Sequence, residues 1–413
     1  MTQIETPADA LARGSELARM FAAGAAEADA AGRLPVENFA ELHRSGLLSL
    51  VIARKHGGLG GGLADAVEAV AVIAQGEPAT ALILAMHYIQ HGQIAFDDGY
   101  WPEAVAHKLV RSSLERGALI NAAYVEPFVG SASHGALPQT VARRDGEHWR
   151  LSGHKKYVTG IEGLSWVRVM GVTDEADARV GYFLVPADAP GIRIERTWDS
   201  LGMRATSSQD VIFDDVAVPL EHFFGDVPVS EGIRYSPLDS IWYLVLVAAV
   251  YHGIARAARN DAVRFARTVA PGSLGRPLAS LARFQDAIGE IEVQQTGAWR
   301  LLQSIGRDYD DSAEKRQEEL EALAADASVA RLAVIASAIG VTSIALELAG
   351  NQGVSRSNAF ERYHRDTLSA RAHNPHAQLI RSRLGNRALG QQQVRPGGAH
   401  AATDAAGPRA WAQ

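Results

Sequence analysis

Three textures of hydrophobic patterning follow one another along the chain. Up to about residue 118 the apolar positions read as helical. In residues 35–48, Phe39, Leu42 and Leu47 fall near helical spacing, and Pro35 suits a first helical turn. Residues 64–76 and 78–96 predict two more helices beyond a glycine-rich break at 56–62. From about Gly117 the pattern becomes short β-type runs at 141–143, 149–151, 166–172, 180–185, 192–196 and 211–213, separated by turn clusters at 145–146, 152–153 and 186–191. Such spacing predicts a small all-β unit, a barrel or sandwich. Beyond Pro219 the helical pattern returns at 241–268, 284–308, 315–348 and 376–389, which predicts an antiparallel bundle.

The order predicts an α+β protein: an N-terminal helical domain at 1–118, a middle β domain at 119–222 and a C-terminal four-helix bundle at 223–390. Strands and helices do not alternate, which argues against a doubly wound sheet. Residues 391–413 are Gly, Ala, Gln and Pro with few large apolar side chains, so a disordered tail or an arm is expected. The longest apolar run, 241–251, is shorter than the ~20 residues a bilayer requires and reads as a buried core helix. The first thirty residues lack a basic start followed by an apolar stretch, so no secretory signal is read. A cytoplasmic protein without a membrane partner is expected.

Composition narrows the chemistry. The 413 residues are 47% hydrophobic, enough for a large core. A net charge of −7 argues against a nucleic-acid partner, which would need a basic face. There is no cysteine, which excludes disulfides, zinc–thiolate sites, cysteine-ligated clusters and thiol nucleophiles.

Individual motifs are weak when taken singly. The glycine-rich loop at 57–62 has Leu63 where a dinucleotide fingerprint needs its third glycine, and reads as a turn between helices. His87 and His91 stand four apart on one helix face, the spacing of a zinc metalloprotease pair. Tyr88 occupies the general-base position, however, and no third ligand is nearby, so the pair reads as pocket or core histidines and no metal is expected. Residues 121–131 mark a turn into the β unit, 153–160 a hairpin, and Arg365-Asp366 followed by His373-Asn374-Pro375 a helix–loop–helix junction with a surface ion pair.

Taken in order, these segments resemble the acyl-CoA dehydrogenase superfamily over roughly residues 35–390. Val125-Glu126-Pro127-Phe128-Val129-Gly130-Ser131-Ala132 resembles the family's T-E-P-x-x-G-S-D, and Gly153-His154-Lys155-Lys156-Tyr157-Val158-Thr159-Gly160 its G-x-K-x-[WF]-I-T-N. The stretches 200–208 and 211–219, with Tyr363-His364-Arg365-Asp366, complete the set. The resemblance implies a homotetrameric flavoprotein with the flavin between the β domain and the bundle. It places Tyr157, Val158 and Thr159 at the flavin ring, Tyr124 and Val125 in the other ring-contacting segment, and Trp198 against the flavin. Val125 replaces the family threonine, removing one hydroxyl contact. Arg267 and Arg276 are the candidates for the phosphate end. Glu347 and Asn351 alter the family's Q-x-x-G-G-x-G segment, adding negative charge near an adenylate. That favours FMN over FAD.

The family's catalytic glutamate follows the Arg-Asp pair by eight residues, and here that position is Asn374. In a minority of members it lies on the first bundle helix, where alignment places Trp242 or a neighbour. Neither residue takes a proton. A branch that also lacks this glutamate comprises two-component flavin monooxygenases such as dibenzothiophene monooxygenase. Two of its groups carry a histidine seven residues after the Arg-Asp pair, which His373 matches, and the dibenzothiophene group also has one on the helix before the β domain, which His87 resembles. Histidine gives or takes a proton near neutral pH. The resemblance therefore implies an oxidoreductase, a monooxygenase with His373 and His87 catalytic and His91, Ser131, Trp242 and Asn374 lining the substrate pocket. It would use O2 and FMN or FAD supplied reduced by a separate NAD(P)H:flavin reductase, and act on a phenol, amine or sulfur compound. Two alternatives stay open: an acyl-CoA dehydrogenase or oxidase with a relocated base, which the retained Gly130-Ser131 suits, and a non-catalytic flavin-binding or scaffold member.

Overall fold

The computed structural model describes residues 4–96, 99–127, 137–233, 236–312 and 316–390. The first part holds α1 (Pro7–Ala31), α2 (Val36–Arg44), α3 (Leu63–Ile73), α4 (Pro78–Phe96) and α5 (Glu103–Arg116). Helix α1 starts at a capping box in which Thr6 and Asp9 satisfy each other's backbone N–H, and it stops at Gly32 in the left-handed region, φ 59°. The buried Glu77 carboxylate caps α4 by accepting from the Ala79 and Thr80 amides.

The strands β1 (Ile120–Ala123), β2 (Val141–Asp145), β3 (His148–Val158), β4 (Trp166–Thr173), β5 (Arg179–Pro186), β6 (Ile192–Glu195), β7 (Gln209–Pro219) and β8 (Phe223–Pro228) form one mixed sheet. Its order is β6-β7-β3-β2-β4-β5-β8, with β1 also paired to β4. Strands β1 and β2 run parallel to β4 and share its one edge, β1 along Trp166–Val169 and β2 at Val172 and Thr173. The chain leaving β1 therefore passes over β3, where Lys156 N–H donates to the Val125 carbonyl at 2.9 Å. That bridge sets residues 124–125 beside residues 157–159.

The helices that follow are α6 (Pro237–Thr268), α7 (Ala282–Asp311), α8 (Gln317–Ala349), α9 (Phe360–Leu368) and α10 (Ala377–Ala388). Helix α6 is the central element and packs on α3, α4, α7, α8 and α9. The apolar run read at 241–251 is one stretch of this 32-residue helix. By length and composition α6 and α8 are both apolar enough to cross a bilayer, but the apolar window of α6 is 83% buried inside the fold, against 33% for α8. The glycine-rich loop at 57–62 ends on Gly62 at the start of α3, whose Leu63 and Ala64 amides donate to the Asp310 carboxylate of α7 at 2.8 and 2.9 Å. A carboxylate thus fills the helix terminus that a phosphate would need.

Candidate active site

A cavity of about 1630 Å³ lies where α4, the β1–β3 crossing, α6, α8 and the loop before α10 converge. Residues brought to its wall from the sequence-based set are Tyr124, Val125, Tyr157, Thr159, Trp198, His373 and Asn374. Tyr157 is 55% exposed there, with its ring edge-on to Trp198 at 6.2 Å. Tyr157 (φ 58°) and Met203 (φ 54°) both line the cavity in left-handed conformations that non-glycine residues seldom adopt. Such strain gathers at functional sites. Beside them the hydroxyls of Thr159, Ser208 and Thr206 form a chain, at 3.0 and 2.8 Å, and Asn121 Nδ2 donates to the Thr159 carbonyl. An open aromatic edge, a strained backbone and a row of hydroxyls fit a planar, polar-edged flavin. Of the ring-contacting segment, Val158 is fully buried in the sheet and does not reach the cavity.

His373 lines the cavity from the loop before α10, held between α6 and α8. Its Nδ1 is 3.3 Å from the Tyr243 hydroxyl and its Nε2 2.7 Å from that of Tyr251. Arg331 of α8 holds the loop by donating to the carbonyls of His373 (2.8 Å) and Asn374 (3.2 Å). Burial, then the Arg331 charge, pushes the His373 imidazole down to about 3, so the ring is neutral in ordinary buffers.

The structure does not bring His87 to this wall. Helix α4 faces the cavity with Leu82, Met86, Ile89 and Gln90. Each residue turns about 100° around a helix, so His87 and His91 point elsewhere. His87 Nε2 lies 3.1 Å from the Leu48 carbonyl, His91 Nε2 lies 3.1 Å from the Ser113 hydroxyl, and the two rings are 4.4 Å apart in the helical core. Burial pushes His87 down to about 4 and His91 well below the usual imidazole range. His87, expected as a catalytic residue, is therefore not among the residues that line the cavity. Trp242 likewise turns away, against Tyr309 and the small side of Gly92, while its neighbours Asp239, Ser240 and Tyr243 face the cavity. Arg267 and Arg276 are exposed near the far end of α6 and outside the cavity, whose own basic residues are Lys156, Arg383 and Arg387. Ser131 lies outside the described residues.

Sequence reasoning missed a second polar cluster. Arg168 of β4 is fully buried and threads between the rings of Tyr100, Trp101, Tyr124, Tyr182 and Phe224, closest to Tyr182 at 4.0 Å. It donates to Gln90, Gln93 and Tyr100 and reaches Asp239 Oδ2 at 3.8 Å. Asp239 opens a quarter of its side chain to the cavity, 24%. A charge inside the apolar run 166–172 was the available signal. The motif pair Arg365-Asp366 also differs from its reading as a surface ion pair. Arg365 bonds Asp29 and Glu361, whereas Asp366 is buried and accepts from the Met203 amide at 2.6 Å. Together they dock α9 against the turn at 201–203.

Helical layers around a mixed sheet, with this cavity between them, define a flavin-dependent type of oxidoreductase. The chain belongs to the acyl-CoA dehydrogenase family: the family's N-terminal, middle and C-terminal domains match residues 15–96, 121–216 and 245–378. It is 31% identical over 359 residues to the putative acyl-CoA dehydrogenase YdbM of Bacillus subtilis, covering 87% of this chain and 91% of that one. Among solved structures it shares its fold with FMN-bound TdsC, a dibenzothiophene monooxygenase from Paenibacillus sp. A11-2 (TM-score 0.84, 24% identity, 94% and 98% of the two chains covered). A nitrososynthase from Micromonospora carbonacea var. africana is similar too (TM-score 0.80, 23% identity, 94% and 98% covered).

Proposed function

We propose that the protein is a monooxygenase that uses reduced flavin and O2 to oxygenate a small organic substrate. The observation that carries this reading is the part of the cavity wall set by α6 and α8. It presents a neutral, tyrosine-bonded His373, with Asn374 where the family's dehydrogenases have their base. A reduced flavin bound along Tyr124, Val125, Tyr157, Thr159 and Trp198 would supply the electrons that activate oxygen. The protein's part is to keep water out with Leu82, Met86, Ile89, Leu244 and Ile380 and to manage protons at the His373 wall. The names of the two structural neighbours, a dibenzothiophene monooxygenase also solved with FMN and a nitrososynthase, support the same reading. We further propose FMN as the flavin, a separate NAD(P)H:flavin reductase as its source, a cytoplasmic location, and a homotetramer that would cover the exposed apolar side of α8.

A second reading is favoured by Asp239. It is a carboxylate on the first bundle helix, open to the cavity, and could serve an acyl-CoA dehydrogenase as a relocated base. The curated relative's name supports it. One experiment separates the readings. Purified protein is mixed anaerobically with chemically reduced FMN or FAD, then with O2, and the return of oxidised-flavin absorbance is followed. Slower reoxidation than for free flavin, with little hydrogen peroxide released, supports the monooxygenase. Rapid bleaching of bound oxidised flavin by an acyl-CoA sinks it in favour of Asp239. Failure to bind either flavin in either redox state leaves the scaffold reading.

A further inference from the structure

We propose that the corner formed by Tyr243, His373, Tyr251 and Arg331 is an oxyanion-binding site, in which the Tyr243 hydroxyl donates to a substrate oxygen carrying negative charge, as in a phenolate or enolate. This rests on the assignment of the cavity to flavin and substrate, and it changes the part played by His373.

Tyr251 is fully buried, and the partner of its hydroxyl is His373 Nε2, 2.7 Å away. If Nε2 carried the hydrogen, the Tyr251 O–H would be hidden without an acceptor among the described residues. Leaving a buried donor unpaired costs its full desolvation. Tyr251 therefore donates, Nε2 accepts, and the neutral ring carries its hydrogen on Nδ1. That N–H faces the Tyr243 oxygen at 3.3 Å. With its oxygen accepting from the ring, Tyr243 turns its own hydrogen to the cavity, which it lines. Burial holds both phenols above their usual range, so Tyr243 remains a donor.

The charge behind the corner has the matching sign. Arg331 is 2% exposed, donates once from each terminal nitrogen to a backbone carbonyl and leaves Nε without a partner. Its guanidinium sits 5.7 Å from the centre of the Tyr243 ring, and no carboxylate pairs with it among the described residues. A buried cation behind a fixed O–H favours an oxyanion over the neutral form. The acidic residue on the same α6 stripe, Asp239, is engaged toward Arg168. His373 is thus a positioning residue for Tyr243, with Tyr251 fixing its tautomer.

Two measurements on the whole protein without flavin test this. In histidine-15N-labelled protein the His373 signals, identified by their loss in His373→Asn, should show the Nδ1–H tautomer, and Tyr251→Phe should mix the tautomers. An Nε2–H tautomer in the unaltered protein overturns the proposal, even where Tyr251→Phe does not fold. The second probe is 4-nitrophenol, whose colour reports ionisation. It should bind as the phenolate, with its bound pKa lowered, and Tyr243→Phe should weaken binding about tenfold or more. Absent binding, or binding that Tyr243→Phe leaves unchanged, overturns anion recognition. A protein that passes both yet binds no flavin would fail the monooxygenase reading alone.

Discussion

Lys155 donates to the Glu126 carboxylate at 2.6 Å with both side chains hidden from solvent, 0% and 3% exposed. Glu126 also accepts from the Gln139 and Thr140 amides and from the Thr140 hydroxyl. Burial pushes this carboxyl up, but Lys155 and the other donors outweigh it and hold it below its usual value. Lys155 is itself pushed down by burial, to about 8. The Glu-Pro and Gly-x-Lys motifs are thus two halves of one internal tie in the β domain. Lys155→Met strands the carboxylate and should cost about 3 kcal/mol in denaturant unfolding. A loss below 1 kcal/mol would show that the remaining donors suffice.

Gly202 lies so close to α9 that an added Cβ would stand 2.2 Å from the Arg365 carbonyl and 2.7 Å from the Asp366 amide. Gly202→Ala should lower stability by about 1–3 kcal/mol. It should also weaken flavin binding, because Leu201 and Met203 on either side line the cavity. Calorimetry and a flavin titration on the same sample check both effects.

Six histidines respond together to acid. His87, His91, His222, His252, His364 and His373 all sit below the ordinary imidazole value, chiefly through burial. The unfolded chain binds protons near pH 6.5 that the folded one refuses. Stability should therefore fall as pH drops below about 6.5, with proton uptake on unfolding. Asp366 has the opposite sign. Burial raises it to about 7, so its contribution is present below about pH 4 and is lost as pH rises through 7. Asp366→Asn should steepen the net loss of stability on acidification from pH 7 to 5. Melting temperatures across that range test both signs, and an unchanged slope would contradict the assignment to Asp366.

In the monooxygenase reading, His373→Ala, which leaves the Tyr243 hydroxyl unaimed, should reduce oxygenation by about 10²-fold or more and leave flavin affinity unchanged. Turnover that survives would remove His373 from the mechanism. Asp239→Asn should change oxygenation far less. If acyl-CoA bleaches the flavin, the same substitution should abolish that bleaching.

The order of elements was legible because local periodicity carries it. The six β-type runs at 141–213 and the long apolar helices after Pro219 are each visible within a few turns or strands of chain. The short strands β1 and β8 and the nine-residue α9 were not, whereas β6 and α2, equally short, were marked by their flanks, the turn cluster at 186–191 and Pro35. The cavity-lining positions Tyr157, Thr159 and Trp198 were legible through motifs that resemble the family's, and so was the absence of a glutamate at Asn374.

The pattern along the chain settled that it is helical, then β, then helical, and the family resemblance put Asn374 where the dehydrogenases have their base. Only the packed structure decided which residues look into the cavity. His87 and Met86 are adjacent, yet one faces Leu48 and the other the cavity; Trp242 and Tyr243 divide in the same way. A helix turns by about 100° per residue, and its rotation about its own axis is set by the neighbours it packs against. Arg168 with Asp239, and Tyr251 with His373, are partners 71 and 122 residues apart, a relation that no local pattern contains.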